Sequence, residues 1–144
     1  MKNIPRGPIQ IDGMIQINWI IWFLELIQAV DEIRQPISIA HASSGSLTLA
    51  DLGKIHVYTI GTSDVDVYLP SVGAPDLQKW IQIIRVGTGT LRIRAVDSDT
   101  IEYSSRPGII WCNEPKRLAA NLTLQLISET QWGIISGTGI WKTV

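Results

Sequence analysis

Two hydrophobic periodicities divide this sequence. From Asn18 to Arg34 apolar side chains recur at the three- and four-residue spacings of a helix, and from Pro36 onward they recur at every second position. In the first stretch Ile15, Trp19, Trp22, Leu26, Ala29 and Ile33 fall on the alternating spacing of a coiled-coil seam, with Asn18, Glu25 and Glu32 repeating every seventh residue beside it. Asn18 suits the N-cap and Pro36 stands where a proline stops a helix. Such a helix is about 25 Å long at ~1.5 Å per residue. Ile20, Phe23, Leu24 and Ile27 lie off the seam, so its first turns are apolar nearly all round. A two-stranded coiled coil would leave that extra surface wet. A bundle that also plugs into a second protein would cover it, which makes Ile15, Trp19, Trp22, Phe23, Leu26, Ala29 and Ile33 the candidate oligomerisation and anchoring residues.

Ahead of the helix, "MKNIPRGPIQIDG" carries two prolines and two glycines and reads as an extended arm. Its Asp12-Gly13 pair also suits a hairpin turn. After Pro36 come short runs rich in Val, Ile, Thr, Tyr and Trp: "ISIAH", "SLTLA", "KIHVYTI", "DVDVYLP", "KWIQIIRV", "TLRIRAV", "TIEYS", "GIIWC", "NLTLQLI" and "QWGIIS". Turn signals such as "SSG", "DLG", "GTS", "GAPD", "GTG", "DSD" and "RPG" separate them. Around ten alternating strands must pack one face on a second sheet, which predicts a mainly β chain with an antiparallel sandwich of jelly-roll type. The expected division is residues 1–35, arm and helix, and residues 36–144, β head. No repeat of solenoid length stands out.

Composition narrows the function classes. A hydrophobic share of 45% against 17% charged predicts a folded chain. Twelve basic and thirteen acidic residues leave a net charge of -1, without the basic footprint of a nucleic-acid binder. The apolar run is shorter than the roughly 20 residues of a membrane span, and Gln16, Asn18, Glu25 and Gln28 interrupt it. It also lacks the following cleavage site of a secretory signal. The lone Cys112, in "GIIWC", reads as a buried thiol.

Candidate chemistry is sparse. His41 and His56 are the two histidines, and with one cysteine they make a poor metal set. In "KIHVYTI" the alternation groups His56 with Lys54, Tyr58 and Ile60 on one strand face. The "DVD" and "DSD" fragments lack the glycine and distal glutamate of a calcium loop. Each "GTG", at Gly87–Gly89 and Gly137–Gly139, reads as a hairpin turn and not as a phosphate cradle. No nucleophile elbow selects a triad, so the sequence predicts neither an enzyme nor a cofactor. Trp80, Trp111, Trp132 and Trp141 fall in the β zone, where each is expected to pack and, if exposed, could stack on a sugar ring.

The order of these motifs resembles tailed-bacteriophage structural proteins. "IDGMIQINWIIWFLELIQAV" is similar to an N-terminal element in which an extended arm ending in "DG" precedes a helix with an aromatic cluster. "SLTLADLGK", "DVYLPSVGAPDLQKWIQIIRVGTGTLRIRAVDSDTI" and "NLTLQLISETQWGIISGTGIW" follow one another as in the distal domains of phage fibres. The resemblance implies a homotrimeric virion appendage: a short tail fibre, head fibre or adaptor. Residues 1–35 would dock it on a portal, neck, tail or capsid protein, and its β head would touch a host surface glycan. The competing reading is a monomeric carbohydrate-binding or carbohydrate-modifying β-sandwich.

Overall fold

The computed structural model describes residues 22–28, 37–116 and 118–144. Contacts divide the chain into two units, Met1–Pro36 and Ile37–Val144. In the first, residues 22–28 form the helix α1. The expected arm, the N-cap at Asn18, and Ile15, Trp19, Ala29 and Ile33 lie outside the described residues.

The second unit is built from eleven strands: β1 Ser38–His41, β2 Gly45–Ser46, β3 Ile55–Gly61, β4 Val65–Tyr68, β5 Trp80–Gly87, β6 Leu91–Arg94, β7 Thr100–Ile101, β8 Ile109–Cys112, β9 Ala119–Ser128, β10 Gln131–Thr138 and β11 Lys142–Thr143. They make a six-stranded sheet in the order β1-β3-β5-β9-β10-β7 and a five-stranded sheet in the order β11-β8-β6-β4-β2. The alternation seen in the sequence is the pleat itself. Ile81, Ile83 and Arg85 of β5 are buried while Trp80, Gln82, Ile84 and Val86 face the other way. One core holds the inward residues of both sheets, among them Tyr58, Val67, Ile83, Leu91, Ile93, Ile110, Leu124 and Trp132.

The connectivity differs from the expected antiparallel jelly roll. From β1 to β6 the chain crosses from one sheet to the other at each strand, and each return lies parallel to the strand two before it: β1 on β3, β3 on β5, β2 on β4, β4 on β6. Parallel neighbours need a long crossover, and here the strand in the opposite sheet supplies it. The result is a flattened winding. Antiparallel β8 and β9 then cover β6 and β5, β10 follows β9 as a hairpin, and β11 completes the edge beside β8. Both sheets are therefore mixed. The reason is that β-alternation specifies which face is buried, and is silent on which strand lies alongside.

"SLTLA" also departs from a strand. Its Leu47 is buried, but Leu49–Asp51 turn as one 3-10 turn because the Asp51 carboxylate accepts hydrogen bonds from both the Thr48 N–H, at 2.7 Å, and the Thr48 hydroxyl, at 2.8 Å. "TIEYS" keeps only Thr100–Ile101 as strand, and Tyr103 is exposed.

Candidate functional site

On the outer face of the five-stranded sheet the strand register builds a row of charge and ring. Asp66 of β4 lies opposite Arg92 of β6, Arg92 opposite Trp111 of β8, and Trp111 opposite Lys142 of β11. Arg92 Nη2 stands 2.9 Å from the Asp64 carboxylate, and Arg94 Nε stands 2.6 Å from Asp66 Oδ1. Lys142 Nζ sits 4.7 Å from the centroid of the Trp111 ring. Hydrogen bonds from the Thr90 and Arg92 side chains hold the Asp64 carboxyl below its ordinary value. Exposed ion pairs contribute roughly 0–1 kcal/mol each, so this strip does little for stability. What it presents is the Trp111 ring with Lys142 over it, beside an Arg92 whose guanidinium is already paired with Asp64 and Asp66.

The four tryptophans of the β zone separate cleanly. Trp111 belongs to that strip, half-buried and facing outward. Trp80 opens β5 on the outer face of the six-stranded sheet, opposite Gln125. Trp132 is fully buried in the core, so it has no ring face for a ligand and is corrected to a packing residue. Trp141 packs against the core, and its Nε1–H donates to the Asn121 and Thr138 carbonyls at 3.0 Å each. It pins the C-terminal segment to β9 and β10.

A polar cluster that the sequence did not reveal sits on the inner face of the six-stranded sheet. His56 is fully buried, as its grouping with Tyr58 and Ile60 requires. His41 Nε2 is 2.9 Å from His56 Nδ1, and His56 Nε2 is 3.0 Å from the Asp51 carbonyl oxygen. A carbonyl only accepts, so His56 donates from Nε2, and the contact between the two rings holds one proton between His41 Nε2 and His56 Nδ1. His41 also stacks on Tyr58 with centroids 4.4 Å apart and planes 10° from parallel. Burial holds the His41 pKa below 6.5, aided by the His56 ring and opposed by Asp51. Burial likewise raises the Tyr58 phenol. Arg85 lies beside Tyr58 by register, fully buried, and donates to the Gly89 and Glu114 carbonyls at 2.8 and 3.0 Å. The alternation in the sequence groups His56 with Tyr58 and Ile60 on one strand face without saying which face is buried; only the pairing of β1 with β3 brings His41 to His56.

In α1 the rings of Trp22 and Phe23 meet edge to face at 5.0 Å. Phe23, Leu24, Leu26 and Ile27 are exposed. Among the described residues no helix is long and apolar enough to cross a membrane, and no group of three or more His, Cys, Asp or Glu is placed to hold a metal ion. No protein-family model matches the chain, and no curated protein matches it.

Proposed function

We propose that this chain is the subunit of a homotrimeric appendage on a tailed-phage virion, anchored through residues 1–35 to a portal, neck, tail or capsid protein, with its β unit projecting outward. One observation carries the reading: α1 leaves Phe23, Leu24, Leu26 and Ile27 in water. Fully burying an exposed side chain of this size contributes roughly 1.5–3 kcal/mol, and with about half of each of these four still open, covering them contributes roughly 3–6 kcal/mol in all, a sizeable share of a small domain's stability of about 5–15 kcal/mol. Sister helices and a docking socket supply that cover, and the seam through Trp22 and Leu26 gives it the right spacing. The order of fibre-like motifs supports the same reading.

Attachment to a host glycan forms part of this function. The strip around Trp111 and Lys142 is the surface for it, with a sugar taking the place of the Lys142 ammonium on the Trp111 ring and its hydroxyls meeting the paired Arg92, Asp64 and Asp66 beside it. The same strip is the feature that would serve a monomeric carbohydrate-binding protein, and the two readings differ in what becomes of the helix.

Virions tested with an antibody against residues 37–144 distinguish them. Labelling at a fixed site on the particle, with the band retained in purified virions, is the expected result. Virions free of the chain, with the protein found alone in the lysate, would contradict it.

A further inference from the structure

β1 is the edge strand of the six-stranded sheet, paired with β3 on one side and with no described neighbour on the other. Its four residues alternate between exposed and half-buried, so it is the strand of that sheet that seals no side chain fully into the core. Besides the half-buried Ile39, two things hold it on β3. One is a short backbone ladder, which the Ile37 carbonyl begins by accepting from the Ile55 N–H at 2.9 Å. The other is the His41 ring. His41 Nε2 stands 2.9 Å from His56 Nδ1, with ring centroids 5.1 Å apart and planes 28° from parallel. The rings therefore meet nearly end to end, as an N–H···N hydrogen bond requires.

The two sides of that contact are unequal. His56 is fully buried, and its Nε2–H is committed to the Asp51 carbonyl at 3.0 Å, so its ring is fixed. His41 is half-buried on a strand with an open side. One proton between the facing nitrogens makes the bond; a second sets two N–H groups and two like charges against each other. The surrounding groups leave that repulsion standing. Asp51 favours a protonated His41, but its carboxylate already accepts from the Thr48 N–H and hydroxyl, and Lys54 offsets its charge. Tyr58, under the His41 ring, is a phenol whose pKa burial raises, and Arg85 beside it in the sheet adds a positive charge.

We infer that the His41–His56 contact is an acid-sensitive latch: one proton between the rings holds β1 on β3, and a second expels His41 and lifts β1 away. Lifting returns His41 to water, where it takes a proton at its ordinary value of 6.5, whereas burial and then His56 keep the closed ring below that value. Opening is thus disfavoured above 6.5 and grows as pH falls toward the lower closed value. The consequence is a change of edge. Once β1 lifts, β3 presents unpaired backbone groups, a template for another strand, which neutral pH keeps covered.

Hydrogen–deuterium exchange of the full chain at pH 7.5 and pH 4.5, read by mass spectrometry and corrected for the pH dependence of intrinsic exchange, separates local opening from unfolding of the sheet. Protection of residues 37–42 is expected to fall at least about tenfold in acid, while residues 119–128 of β9 keep theirs. His41→Gln supplies the control. Its side-chain amide can donate to His56 Nδ1 and takes up no proton, so protection of residues 37–42 should hold in acid. Joint loss of protection in β1 and β9 would make the acid effect global and overturn the latch. Unchanged protection of β1 in the wild type would overturn it as well, and that comparison decides by itself should the variant lose its β circular-dichroism signal. An equal acid loss in a folded His41→Gln would assign the response to another group and overturn it too.

Discussion

His41 and His56 show how single residues acquire properties that their position in the sequence does not announce. Each has an ordinary setting in its own strand; side by side they share one hydrogen bond that two protonated rings could not make. His41 is held below 6.5 in the folded chain. As pH falls through 6.5 the unfolded chain therefore takes up a proton that the folded chain refuses, and stability falls with it until the lower folded value is passed. His41→Phe keeps a ring on Tyr58 and removes the proton. Urea denaturation at pH 7 and pH 5 should show a smaller loss of stability in the variant than in the wild type; an equal or larger loss would rule out His41 as its source. The carboxyls of Asp51, Asp64 and Asp76 are shifted down in the folded chain, so their stabilisation is lost only as pH falls below about 3.8, outside that interval. Arg85 was not legible in the sequence: apolar residues stand on both faces of "KWIQIIRV", and the acceptors at Gly89 and Glu114 come from turns whose positions no pattern in β5 specifies.

At the scale of elements, the strands from β3 to β10 that carry three or more alternating residues were legible almost to their ends. "KIHVYTI", "KWIQIIRV" and "NLTLQLI" end within one or two residues of β3, β5 and β9. The winding was not. Ser38 lies beside Ile55 and Ile55 beside Gln82, so successive windings take 17 and 27 residues, and loops of unequal length erase any sequence period. What aligns the windings is backbone contact between their turns. Gly61 and Gly87 both take positive φ, and the Gly61 carbonyl accepts from the Thr88 and Gly89 amides at 2.6 and 2.9 Å. A Cβ at Gly89 would run into the backbone of Ser63, while one at Gly45 meets nothing within 4 Å. Gly89→Ala should accordingly cost about 1–3 kcal/mol, and Gly45→Ala should stay within about 0.5 kcal/mol. Thermal melts of the two variants check this directly, and equal midpoints would show that the stacked turns do not set the alignment.

For the whole molecule, the account rests on where unburied apolar surface and missing charge occur together. The described turns of α1, residues 22–28, fall inside the helical periodicity read from Asn18 to Arg34, and the rest of that stretch lies outside the described residues. The outer face of the six-stranded sheet, whose strands carry no Asp, Glu, Lys or Arg except the buried Arg85, was not legible, because it is assembled from six strands of which only β9 and β10 are consecutive in both chain and sheet. Either feature alone fits many proteins; together they support the proposal of a subunit completed by its own copies. The most direct test is the native mass of the full chain in solution, measured by light scattering across a dilution series. Three times the 16.0 kDa chain mass, held on dilution to micromolar concentration, is the predicted result. A single 16.0 kDa species with a normal melting transition would contradict the account.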